Sequence, residues 1–186
     1  MSTTVKRILT FIIGVPAVLI FVFFNLYNHL PLNLLIIFFS ILGTIEFHNM
    51  ISSKIQMFPK WLIVIFTALI PIINYIFSLT SISQDASVFI FVIEVVILMA
   101  IEALSKKTFE SSFTKLASSF LIIFYCGFIF TYLQRFTVFE NSIYIISLFL
   151  ILVFMCDSAA WLFGILFGKN NRGFIAASPK KSIVGF

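Results

Sequence analysis

Six long apolar stretches joined by short polar segments constrain this chain more than any other feature. They cover residues 8–24, 32–47, 61–79, 87–104, 116–133 and 142–167. A helix rises about 1.5 Å per residue, so crossing a hydrocarbon core of about 30 Å takes roughly 20 residues, within a range near 17 to 25. The second stretch is the shortest and enters that range by continuing to Ile51. Inside a bilayer every backbone N–H and C=O must be satisfied by the segment itself, which a helix does and an isolated extended segment cannot. The expected fold class is therefore all-α, a polytopic transmembrane helix bundle with about six spanning helices. They form a single transmembrane domain over residues 1–186, with helices near 8–24, 32–51, 61–79, 87–104, 116–133 and 142–167 and a basic loop over 168–186.

Composition supports that reading and excludes an ordinary soluble domain. Hydrophobic residues make up 61% and charged residues 10%, where a soluble domain carries about 25% charged. The positive residues also alternate by side. Lys6 and Arg7 precede the first stretch, Lys54 and Lys60 follow the second, Lys106, Lys107 and Lys115 follow the fourth, and Lys169, Arg172, Lys180 and Lys181 follow the sixth. Arg135 falls on the other side, with His29, Asp85 and Glu140. Short loops rich in Lys and Arg stay in the cytoplasm, so both termini are expected there, in a multi-pass protein of the plasma or inner membrane. The first stretch exceeds the 7 to 15 apolar residues of a signal-peptide core and no Ala-x-Ala follows, so it is expected to remain as a helix. The net charge of +5 reflects these inner loops and not a nucleic-acid-binding face, which would interleave basic residues with aromatics. Cys126 and Cys156 lie within apolar stretches and read as packing residues.

Acids within apolar sequence are the candidates for chemistry, because a carboxylate at that depth must be paired, hydrated or bound to a cation. Asp157 lies roughly 22 Å along the last helix from Ser142, in the inner leaflet and within reach of cytoplasmic water. It can hold a divalent cation that bridges phosphates, or it can pair with a neighbouring helix. Glu94 lies near mid-membrane, and a neutral acid hydrogen-bonded to an adjacent helix competes there with an ion path. Glu102 is expected to reach the cytoplasmic interface. Glu46 and His48 close the second helix near the level of Asp157, as interfacial side chains or as walls of the same polar cavity. Pro16 and Pro71 fall inside helices and are expected to kink them. Gly164 and Gly168, four apart on one face, allow a close backbone approach, and Gly168 can also cap the helix end.

Downstream of Asp157 come Ser158, Ala160, Trp161, Gly164, Phe167-Gly168-Lys169, Ser178-Pro179-Lys180-Lys181-Ser182 and Gly185. In that order and spacing the segment resembles the middle of the phosphatidate cytidylyltransferases, or CDP-diacylglycerol synthases. The likeness extends more loosely to Arg7 and to Glu46-Phe47. Ala159, Ile165 and Val184 stand where that family usually has Gly, Arg and Glu, so no role is carried to those positions. The resemblance implies an enzyme that joins CTP to phosphatidic acid, giving CDP-diacylglycerol and pyrophosphate in phospholipid biosynthesis. It assigns catalysis to Asp157, Lys180 and Lys181, substrate binding to Ser158, Lys169, Ser178 and Ser182, and a Mg²⁺ to Asp157. Its implied partners are CTP, phosphatidic acid and membrane lipid, with a homodimer allowed, no nucleic acid, and the active site facing the cytoplasm. The family's Lys-Arg, Lys-Asp, Pro-Gly-His-Gly-Gly and Asp-Arg-x-Asp elements lie further downstream. The 186 residues are therefore expected to be an amino-terminal portion, inactive by itself. The rival from another class is a small polytopic transporter using Glu94 and Asp157 as intramembrane ion ligands.

Overall fold

The computed structural model describes residues 3–80, 82–105, 109–168, 173, 178 and 181–183, with side chains from Ile13 onward. The helices are α1 Thr3–Phe23, α2 Leu30–Ser52, α3 Lys60–Ser78, α4 Ser87–Ser105, α5 Ser112–Ile122, α6 Phe130–Arg135 and α7 Ser142–Leu166, and there is no β-strand among the described residues. A π-helical segment, Ile123–Phe128, joins α5 to α6, making one rod over Ser112–Val138. Five helices among the described residues are long and apolar enough to cross a membrane: Leu30–Ser52, Lys60–Ser78, Gln84–Ser105, Ser112–Val138 and Ser142–Leu166. The first apolar stretch forms α1, within which Ile13–Phe23 is a shorter apolar helix. The protein is an all-α, multi-pass membrane bundle. It divides into two units, one of residues 1–20 and 144–186 and one of residues 21–143.

In the larger unit, hydrophobicity does not decide which side of a helix faces its neighbours. The buried stripe of α2 includes Asn33, Ile36, Ser40, Thr44 and His48, while Leu34, Phe38, Phe39 and Leu42 point outward. Lipid is as apolar as any core, so membrane helices bury small and polar residues, which allow close approach and interhelical hydrogen bonds. The π segment shows how tightly this works. Its Ile129 N–H reaches back to Phe124 O at 3.0 Å, and Cys126 O accepts from Ser40 Oγ of α2 at 2.6 Å. Beside it Gly127 lies against α3, where an added Cβ would stand 3.0 Å from Thr67 O. That carbonyl has lost its intrahelical donor, because Pro71 four residues on has no N–H. Further along, Pro71 O accepts from Gln134 Nε2 at 3.0 Å, and Gln134 Oε1 accepts from Asn74 Nδ2 at 3.1 Å.

Two clamps close the ends of this unit. At one end Glu102, near the end of its helix, is 1% exposed. Its carboxylate accepts from Ser112 Oγ at 2.7 Å and pairs with Lys115, whose ammonium lies 3.9 Å above the Phe58 ring. His48 is buried too, and donates from Nε2 to Phe58 O at 3.0 Å. At the other end Tyr27, Asn28 and His29 are all left-handed, with φ of 48°, 51° and 57°. A non-glycine residue there costs about 1–2 kcal/mol, and the turn is held by its contacts. Tyr27 O accepts from Tyr75 Oη at 2.8 Å, Asn28 Nδ2 donates to Ser78 O, and Asn33 Nδ2 donates to Asn28 O and His29 O. His29 is fully buried, with Nδ1–H donating to Val22 O at 3.0 Å and Nε2 accepting from Ser142 Oγ at 2.8 Å.

The smaller unit is built otherwise. Most of α7 is exposed, with Leu148, Leu152, Met155 and Leu166 each more than half exposed. At its end Ser182 is buried against Gly168. Gly168 is not left-handed, so the close approach of Ser182, and not an αL cap, is what its missing side chain serves.

Candidate active site on the last helix

The smaller unit contains a cavity of about 540 Å³, lined by Phe149, Leu152, Val153, Cys156, Asp157, Ala160 and Lys181. Six of these come from α7 at successive spacings of three, one, three, one and three, which is one face of a helix. The seventh, Lys181, belongs to the tail. The cavity thus brings a carboxylate and an ammonium to an otherwise apolar wall that includes an exposed free thiol, Cys156. Asp157 is exposed and makes no hydrogen bond or ion pair among the described residues.

Backbone contacts fix where the tail runs. Lys181 N–H donates to Ser178 O at 3.0 Å, and Lys181 O accepts from Gly173 N–H at 3.3 Å. Gly173 has a φ of 85°, a conformation glycine adopts without strain. Of the residues assigned from the sequence, the structure brings Asp157 and Lys181 together. Ser158 and Ser178 are half-buried and do not line the cavity, and Ser182 is buried against Gly168. Lys169 and Lys180 lie outside the described residues.

Glu46, Glu94 and Glu102 belong to the larger unit. Glu46 is exposed on α2, while Glu102 is consumed by its clamp. Glu94 is 4% exposed and neither of its carboxyl oxygens has a hydrogen-bond partner, so the neighbouring-helix bond expected of it is not formed among the described residues. The apolar wall residues Phe149, Leu152, Val153 and Ala160 were the part sequence reasoning passed over, although their regular spacing around Asp157 is a readable signal.

The donor set decides what metal chemistry fits. Among the described residues no three His, Cys, Asp or Glu side chains gather into a cage. Mg²⁺ is usually held by one or two carboxylates together with substrate phosphates and water. A lone exposed carboxylate such as Asp157 fits an ion carried in on phosphates, and does not fit an all-protein site.

No curated protein and no solved structure matches the chain. The model of the cytidylyltransferase family matches residues 5–186, nearly the whole length. A membrane bundle whose last helix and tail bring Asp157 and Lys181 to one cavity therefore belongs to the cytidylyltransferase family, and is a CTP-using nucleotidyltransferase.

Proposed function

We propose that the chain acts on phosphatidic acid, forming CDP-diacylglycerol and pyrophosphate from CTP at the cytoplasmic face of the plasma or inner membrane. The observation that carries this reading is the shared cavity of Asp157 and Lys181. It is apolar along one wall, as a diacyl substrate requires, and charged where a phosphate would sit. In the reaction a phosphate oxygen of phosphatidic acid attacks the α-phosphorus of CTP. The bond from that phosphorus to the bridging oxygen breaks, and pyrophosphate carries away the electron pair. Such transfers need alignment and charge neutralisation more than covalent help. Lys181 supplies an ammonium for phosphate oxygens. Asp157 faces the same space and would serve as a protein ligand of Mg²⁺, which when bound neutralises phosphate charge. Lys180, Lys169, Ser158 and Ser178 join the proposal as phosphate-binding groups through their place in the motif. The lysine-rich segments between helices support a cytoplasmic position for this end of α7.

The test uses the protein as its whole coding frame gives it, reconstituted into vesicles, with CTP labelled at the α-phosphorus. Label is expected to enter lipid as CDP-diacylglycerol when the vesicles contain phosphatidic acid, and not when phosphatidylglycerol is the sole anionic lipid. Transfer of the γ-phosphate to a lipid alcohol, or equal labelling in both vesicles, would overturn the choice of substrate.

A further inference from the structure

We infer that Ser182 is a positioning residue, whose side chain seats the tail on the bare Cα of Gly168 and so holds Lys181 in the cavity with Asp157. The inference rests on reading that cavity as the nucleotide site. Three observations meet at this seat. Ser182 is 5% exposed, although its neighbours Lys181 and Ile183 are exposed. A Cβ on Gly168 would fall under 3.0 Å from both Ser182 Oγ and Ser182 Cβ, and from Gly164 O, a separation real side chains do not adopt. The residue before it, Lys181, has its N–H bound to Ser178 O and its carbonyl bound by Gly173 N–H. Lys181 is therefore held by its own two backbone hydrogen bonds and by the packed small side chain that follows it.

This arrangement changes what Ser182 does. A hydroxyl that binds phosphate belongs on the cavity wall, and Ser182 is not on it. Its side chain is pressed against the helix end, beside Gly168 and Gly164 O, where size decides the fit. Alanine fits the same seat, whereas a larger residue does not. Close packing at the seat is felt at the level of one methylene. Displacing Ser182 removes the ammonium of Lys181 from the carboxylate side of the cavity.

The experiment replaces Lys181 by cysteine and joins it to the native Cys156 of the cavity wall with a short bis-maleimide, in the full chain in lipid nanodiscs. Cross-linking is expected in this background and with Ser182→Ala, and is expected to be lost with Ser182→Leu and with Gly168→Ala. In the chain that keeps Lys181, Ser182→Leu should weaken Mg²⁺-CTP binding about tenfold, the value of one charge-assisted contact. Combining it with Lys181→Met should add nothing further. Undiminished cross-linking in Ser182→Leu overturns the inference, and so does a loss in Ser182→Ala equal to that in Ser182→Leu, which would make the hydroxyl a ligand. Lost cross-linking with unchanged CTP binding upholds the seat and overturns the nucleotide reading of the cavity.

Discussion

Polar side chains do opposite work in the two units. In the larger one they are turned inward and engaged: Ser40 holds the π segment, Gln134 ties α6 to α3, and Glu102 is locked between Ser112 and Lys115. In the smaller one Asp157 is exposed on an apolar helix face and forms no such bond among the described residues. Both patterns follow from one cost, that of a polar group in a low-dielectric medium. Where the protein itself satisfies the group, the result is a rigid scaffold. Where it leaves the group to a ligand, the result is a site. Glu94 and Ser119 are exceptions: among the described residues neither carboxyl oxygen of Glu94 and not the Ser119 hydroxyl has a partner, although both side chains are buried in the larger unit.

The contrast breaks most visibly at the Glu102 clamp. Lys115→Met leaves a carboxylate that is 1% exposed without its cation, and removing one partner of a buried pair costs about 3–5 kcal/mol. Thermal unfolding in detergent should show that loss, and Glu102→Gln combined with Lys115→Met should recover part of it. A single variant as stable as the parent would mean that the clamp is not structural.

Next in size is the exchange of Asp157 for Asn, which keeps volume and removes charge. Turnover, or Mg²⁺-CTP binding where turnover is too slow to follow, should fall on the order of a hundredfold, near 3 kcal/mol. Glu94→Gln should leave it close to the parent value. The reverse result, with Asp157→Asn active and Glu94→Gln dead, would move the site into the larger unit and favour the ion-path reading of α4.

The smallest effect sharpens the scaffold side. Burial pushes the His29 imidazole below its ordinary value of 6.5, with the backbone bond to Val22 opposing weakly. Above that value the histidine is neutral in both folded and unfolded chains and costs nothing. As pH falls through it, the unfolded chain takes up the proton first, so stability declines toward acid. The melting temperature should fall from pH 7 to pH 5, and His29→Gln should flatten that part of the curve. An identical slope in the variant would assign the acid sensitivity to another group.

Much of the fold was legible because apolar length alone decides that a segment is helical in a bilayer. The same property hid which face turns inward, since Phe38 and Ile36 of α2 are equally at home against lipid or protein. Sequence also could not show the π segment, which depends on Ser40, eighty-six residues away, meeting the Cys126 carbonyl. At the site, Asp157 stood out because a charge in an apolar run has few bland explanations. Nothing along the chain reveals that Ser182 is pressed on Gly168.

By itself, then, the sequence determined the all-α fold class, the multi-pass membrane character and the family, through properties that each segment carries without its neighbours: length, hydropathy and a motif at fixed spacing. Only the tertiary structure decided which carboxylates are locked and which is open, and that Lys181 shares a cavity with Asp157. The reason is that satisfaction of a buried or exposed polar group depends on atoms brought to it from distant parts of the chain.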